Sequence, residues 1–245
     1  MRTSSSQQNQ HDPAQRVGTL DWDAITHDLD AQGCATIPGL LTPAECDALA
    51  ARYGDDALYR SRIVMGQHGF GRGEYKYFRY PLPALVQALR TALYPHLVPV
   101  ANRWHAAMGI ERRFPPEHAS FLDECHRAGQ RRPTPLLLAY GEGDYNCLHQ
   151  DLYGTQVFPL QVAILLSAPG AGFTGGEFVM TAQRPRMQSR AEVVALAQGF
   201  GVGKHGRRSV WVGESRHCSA GAGHSASWKM MPSVWRVPER RRLTP

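Results

Sequence analysis

The chain has 245 residues and a mass of 27.2 kDa, with 42% hydrophobic and 20% charged residues. That composition suits one packed domain and excludes global disorder and, with no apolar run near the roughly 18 residues of a span, a helical membrane protein. The net charge of +6 is confined to the last fifth: from Phe200 onward nine basic residues face two acidic ones, while the first 199 residues sum to −1, so the basicity is no evidence that the main domain seeks an acidic partner.

Met1 to about Arg16 is rich in Ser, Gln and Asn and is expected to be a disordered tail, without the apolar stretch of a secretory signal. Leu20 to Gln32 has Trp22, Ile25 and Leu29 at helical spacing, closed by Gly33. Ala35 to Leu41 is short and β-like. Thr42-Pro43-Ala44-Glu45 is a capping box that opens a helix running to about Tyr53. Pro83 to Met108 reads as one or two helices interrupted near Pro95 and Pro99, with Trp104 and Met108 as core. From Pro135 the pattern changes: 136–140, 145–148, 157–167 and 177–181 are short apolar runs punctuated by Gly, Pro and Asp, the signature of antiparallel strands. The expectation is an α+β fold, helices first and then a sandwich or barrel. The five cysteines (34, 46, 125, 147 and 218) are scattered without a CxxC pair, which argues against a disulfide framework or zinc ribbon and for a reducing, cytoplasmic setting.

The chemical signal is the segment from Tyr140 to Asp151, YGEGDYNCLHQD. On a strand, His149 and Asp151 point to one face and can share a metal; an imidazole and a carboxylate are two-thirds of the facial triad that holds Fe(II) with open positions. Alone the pair is weak, because chance supplies one HxD in about every second chain of this composition. His27, His68, His96, His105, His118 and His126 have no partner at ligand spacing and read as structural. Gly69-Phe-Gly71-Arg-Gly73 does not sit between a strand and a helix, so a loop is a better reading than a phosphate cradle. Gly175-Gly176 reads as a tight turn before a strand.

Longer strings narrow the reading. Leu138 to Asp151 resembles the first metal strand of 2-oxoglutarate/Fe(II) oxygenases, including AlkB-like dealkylating enzymes. Four stretches resemble a bacterial family of these oxygenases described as acting on damaged nucleic acid: RIVMGQHGFGRGEYKYFRYPLP from Arg62, YNCLHQDLYGTQVFPLQ from Tyr145, FTGGEF from Phe173 and QRPRMQSR from Gln183. The resemblance covers about residues 20–199. It implies a double-stranded β-helix (jelly roll), with helical support over 17–134 and a β-core over 135–199. It also implies Fe(II) on His149 and Asp151, 2-oxoglutarate as cosubstrate near Tyr140, nine residues before the His, and O2 as oxidant. The outcome would be hydroxylation or demethylation, with alkylated nucleobases as the substrate class the family suggests. A protein side chain or a small molecule is a rival substrate. Arg62, Phe70, Tyr75 and Tyr77 are candidates for the substrate mouth, where aromatics interleaved with cations would stack a base and hold its phosphate; an ordinary aromatic strand is the competing reading.

The resemblance breaks after Gly199. The family pattern continues with an apolar strand, reaches Arg-His-Gly-Val-Ser and finishes near Leu-Gly-Ile-Ile-Phe-His-Asp; residues 200–245 here form a basic tail rich in Trp, Arg, Ser and Pro. The third iron ligand is then missing, or is supplied by His217 or His224, and the cation for the far carboxylate of 2-oxoglutarate is lost. Read on the complementary strand and shifted by one nucleotide, permitted codons for Ala226 to Pro245 spell GVSRRRSGTRHTLGIIFHDA. Trp228, Lys229, Met230 and Met231 nearly fix those codons. A DNA inversion or assembly error joining the gene near codon 199 to its own reversed 3′ end explains the tail, and sequencing across that codon tests it. An impaired enzyme, a catalytically silent binding module, and a nucleic-acid binder using the tail all follow as alternatives.

Overall fold

The computed structural model describes residues 12–149, 157–182, 190–205, 209–212 and 225–230. Helical structure starts before the end of the expected tail: Pro13–Gly18 forms helix α1, capped by Asp12, whose side chain accepts from Ala14 N at 3.0 Å. Val17 is fully buried and Arg16 bonds Glu45 at 2.6 Å, which ties α1 to the core. Helix α2 (Trp22–Gln32) ends at Gly33 in the left-handed conformation, φ 75°. Strand β1 (Cys34–Ile37) leads into helix α3 (Pro43–Ala51). The capping box is formed: Glu45 N donates to Thr42 Oγ1 at 3.2 Å and Thr42 N donates to the Glu45 carboxylate at 2.8 Å.

Strands β2 (Tyr59–Val64), β3 (Gly71–Arg72) and β4 (Glu74–Phe78) follow. Helix α4 (Ala84–Ala107) is one uninterrupted element with Pro95 and Pro99 inside it. The reason is where the prolines fall. Thr91, Pro95 and Pro99 lie on the exposed face, where a carbonyl that loses its donor can turn to solvent. The opposite face buries Leu89, Leu93, Tyr94, Leu97, Val98 and Ala101. Each large buried side chain contributes roughly 1.5–3 kcal/mol, which together outweigh roughly 3 kcal/mol per helix proline. Pro95→Ala restores a donor to the Thr91 carbonyl and is expected to raise stability by about 1–3 kcal/mol in a denaturant melt; an unchanged midpoint would show that no helix strain is present. Trp104 packs partly on the core and donates to Asp30 at 2.7 Å. Met108, expected in the core, is 53% exposed because it caps the helix end beyond the packed face.

Helix α5 (His118–Arg127) precedes strands β5 (Leu136–Tyr140), β6 (Tyr145–Asn146), β7 (Leu160–Leu165), β8 (Glu177–Ala182), β9 (Arg190–Val194), β10 (Gly201–His205), β11 (Ser209–Val212) and β12 (Ser225–Met230). The major sheet has the order β1-β10-β7-β12-β5-β4-β2, the minor sheet β11-β8-β9, and β3-β6 form a ribbon. All pairings between named strands are antiparallel. Two sheets with this crossing order form the double-stranded β-helix expected from the sequence. The major sheet also takes β1, β2 and β4 from the part expected to be helical support. Strands β10, β11 and β12 come from beyond Gly199, so the sheets continue past the point where the sequence pattern changes. Lys204 lies in register with Gln161, and Lys229 with Ala163 and Leu136.

Two clusters divide the interior. Leu160, Val162 and Ile164 of β7 join Leu137 and the helices in an outer cluster. Ala163 and Leu165 of the same strand join Leu136, Leu138, Tyr140, Phe178, Met180 and Val202 in an inner cluster between the sheets. The period-2 alternation thus fills both sides of a strand that is buried throughout. That is why the 157–167 stretch reads as a continuous apolar run.

Candidate active site

Strand β5 places Tyr140 on the inner face, 8% exposed. A tight turn follows: Asp144 N donates to Gly141 O at 3.2 Å, the Asp144 side chain accepts from Gly141 N at 2.8 Å, and Gly143 takes φ 71°. The chain then runs through β6 to Cys147, Leu148 and His149. It is clasped there by the glycine loop, with Gly71 opposite Asn146 and Arg72 opposite Tyr145, and Cys147 N donates to Phe70 O at 2.8 Å. Gly71 has φ 121°, and a Cβ there would meet Tyr145 O at 2.2 Å. The loop is therefore a fitted clasp on the segment that carries His149, and the glycines are there for close backbone approach.

His149 is half-buried, with Nδ1 2.7 Å from the Cys147 carbonyl. A carbonyl only accepts, so Nδ1 carries the proton, which leaves Nε2 as the nitrogen that can face a metal. This carbonyl-oriented imidazole is the tautomer and second-sphere support that a metal ligand needs. Asp151, the expected second ligand, and His217 and His224, the candidates for the third, lie outside the described residues. Among the described residues, no group of three His, Cys, Asp or Glu side chains is placed to hold a metal.

The mouth candidates separate into two groups. Tyr75 and Tyr77 stand opposite Leu138 and Leu136 on the inner face of the sheet, with their rings edge to face at 5.5 Å. Tyr77 is buried beneath Arg60, whose guanidinium carbon lies 4.3 Å from the ring centroid. A bulge between Tyr59 and Ser61 aims Arg60 there, and Arg60 Nε donates to Pro133 O at 3.2 Å. Arg62 is in register with Lys76, so it belongs to the opposite face and does not meet these tyrosines. It pairs instead with Glu74, whose other oxygen accepts from Tyr53 at 2.9 Å.

Burial disfavours ionisation of Glu74, but the Arg62 and Tyr53 hydrogen bonds outweigh it and hold the carboxyl below its usual 4.5. A depressed carboxylate pKa stabilises the fold above the unfolded-state value, and that stabilisation is lost as pH falls through the folded value. Glu74→Gln is expected to flatten this part of the acid limb in urea midpoints taken between about pH 3 and pH 7; an unchanged limb would contradict the assignment.

Phe70 is 42% exposed and stacks with His68 at 5.3 Å. Tyr145 and Leu148 are similarly exposed, and both lie just before His149 in the chain. Neither was singled out from the sequence, although two large apolar residues inside a polar, glycine-rich segment were a usable signal. The same holds for Arg60, hidden in a strand that showed no clear alternation.

Comparisons with known proteins bear on the family and the fold. The matching family model, described as an oxygenase catalysing oxidative methylation of damaged DNA, covers residues 73–242. It therefore spans Tyr140, His149 and Asp151 and runs through most of the basic tail. Two Mycobacterium tuberculosis proteins, the uncharacterized protein Rv2227 of strain ATCC 25618 / H37Rv and MT2286 of strain CDC 1551 / Oshkosh, are each 45% identical over 154 residues. The match takes in 63% of this chain and spans 61% of the length of those relatives. A Pseudomonas putida prolyl-4-hydroxylase shares the fold, with a TM-score of 0.51, 13% identity, and coverage of 85% of this chain and 96% of that one. A fold-level likeness at that identity speaks to architecture, whereas the family match spans more than half of the chain, and by it the chain belongs to this oxygenase family.

Proposed function

We propose that the protein is an Fe(II)- and 2-oxoglutarate-dependent dioxygenase that hydroxylates or demethylates an alkylated nucleobase. The observation that carries this reading is the imidazole of His149, held by the Cys147 carbonyl so that Nε2 can face a metal, within a double-stranded β-helix of the oxygenase family. His149 and Asp151 would hold the iron, with His217 or His224 as candidates for a third ligand, and Tyr140 would stand by the cosubstrate. When bound, the metal and cosubstrate supply O2-driven oxidation of a substrate C–H bond, coupled to decarboxylation of 2-oxoglutarate to succinate.

The protein's own residues orient and enclose. The Cys147 carbonyl fixes the ring of His149. The inner cluster around Leu138, Leu165 and Phe178 excludes water from the floor beside Tyr140. Phe70, Tyr145 and Leu148 offer exposed apolar surface beside the metal segment, suited to stacking a base. No helix among the described residues is long and apolar enough to cross a membrane, and with unpaired cysteines at 34, 46, 125 and 147 the working site we infer is the cytoplasm.

The test is succinate release by the full chain, with iron and 2-oxoglutarate each omitted in turn, using single-stranded DNA carrying N-methylated bases. Release that needs both and rises with methylated DNA supports the reading. Release that needs both but ignores DNA moves the substrate to a protein side chain or a small molecule. A second reading, a silent binding module, follows if residues 226–245 are a reversed-strand translation, as permitted codons allow. Absence of release despite iron binding supports that one.

A further inference from the structure

Among the described residues, the helical layer behind the major sheet contains a cation without a counter-charge. Arg90 of α4 is 3% exposed, and its Nε and Nη1 groups have no hydrogen-bond partner. The Tyr80 hydroxyl is a hydrogen-bonding neighbour of the guanidinium, and Cys125 of α5 lies within its electrostatic reach. Cys125 is no counter-ion, because burial, foremost, pushes its thiol up to about 11. Glu124, the nearby carboxylate of α5, is engaged by Arg112 at 2.5 Å, and Arg90 forms no ion pair among the described residues.

A second buried group lies within the electrostatic reach of Arg90. His118, the first residue of α5, is 5% exposed, and its Nε2 also lacks a partner. Its ring lies 5.2 Å from Tyr94, one helical turn from Arg90, and it feels the charge of Arg90. The Tyr94 hydroxyl is itself occupied, donating to Pro115 O at 2.9 Å. Glu117, the residue capping α5, contributes no side-chain cap bond, so the positive end of this ten-residue helix opens beside His118.

An unpaired buried guanidinium is among the costlier arrangements in a protein interior. One water molecule relieves it poorly. Water carries no charge, whereas Arg90 presents open Nε–H and Nη1–H donors together with a full positive charge. A small anion satisfies every donor and the charge together.

We propose that Arg90 and His118 line a closed site for a small inorganic anion of the chloride class between α4 and α5. The site braces the junction of β4 and α4 through Tyr80 and is independent of the oxygenase chemistry. The test is thermal melting of the full chain at fixed ionic strength, with chloride exchanged for gluconate, which is too large to enter. Chloride at ten times its dissociation constant is expected to raise Tm by about 4 °C, saturably, with bromide acting likewise. Arg90→Met is expected to abolish that increment. Because that variant can fail to fold, crystals of the unaltered protein grown in bromide provide the second measurement, an anomalous peak beside Arg90 Nε. Identical melting in both salts, an increment that persists in Arg90→Met, or no bromide beside Arg90 would overturn the proposal.

Discussion

His149→Ala is expected to lower iron- and 2-oxoglutarate-dependent succinate release by more than about 100-fold. The Cys147 carbonyl, 2.7 Å from Nδ1, orients the ring and leaves Nε2 as the nitrogen that can face a metal. On the proposed ligand set, alanine would remove the imidazole that anchors the site and leave Fe(II) bound weakly and without fixed geometry. The fold is expected to survive, because the ring is only half-buried and lies outside both core clusters. Melting within about 1 kcal/mol of the parent, together with lost turnover, separates a ligand from a packing residue. A variant that kept full turnover would remove His149 from the metal.

Gly199→Ala is expected to produce the largest loss of stability, about 3–5 kcal/mol in urea unfolding. Gly199 has φ 78°, where a Cβ is disfavoured by roughly 1–2 kcal/mol. The added carbon would also sit 2.1 Å from Leu41 O, a backbone atom that has no rotamer by which to yield. Two hydrogen bonds lie at the same point: Gly199 N donates to Leu165 O at 2.8 Å, and Leu41 N donates to Gly199 O at 3.0 Å. Gly199 thus fastens the end of β7 to the segment just before the α3 capping box. Relieving the clash breaks at least one of these bonds, for roughly another 1–3 kcal/mol. Gly203, whose Cβ would meet only side-chain atoms at 3.6–3.9 Å before reaching Ala35 O at 4.0 Å, is the matched control and is expected to tolerate alanine far better.

What the sequence disclosed depended on whether the cause was local. Caps and periodicity act within a few residues, so α2, the capping box of α3 and strands β5, β7 and β8 were legible. Strands β2 and β4 were less so, because their alternation mixes buried Tyr77 and Phe78 with Lys76, a buried cation. Lys76 is held by Tyr53 O at 2.9 Å and Asp56 at 2.7 Å, partners that only the fold supplies. Helix α4 looked breakable because the sequence does not say which face its prolines occupy. The separation of Arg62 from Tyr75 and Tyr77 followed from strand parity, which could have been applied once 74–78 was read as a strand. The His149 segment was legible from its motif; its glycine clasp was not, because Gly71 matters through Tyr145, 74 residues further along the chain.

The most direct measurement is anaerobic titration of Fe(II) with 2-oxoglutarate into the full chain, following the visible charge-transfer absorption of the chelated metal, alongside the His149→Ala/Asp151→Ala double variant. The account requires a saturable band in the parent that is absent from the variant. The same band at the same affinity in both proteins would contradict it.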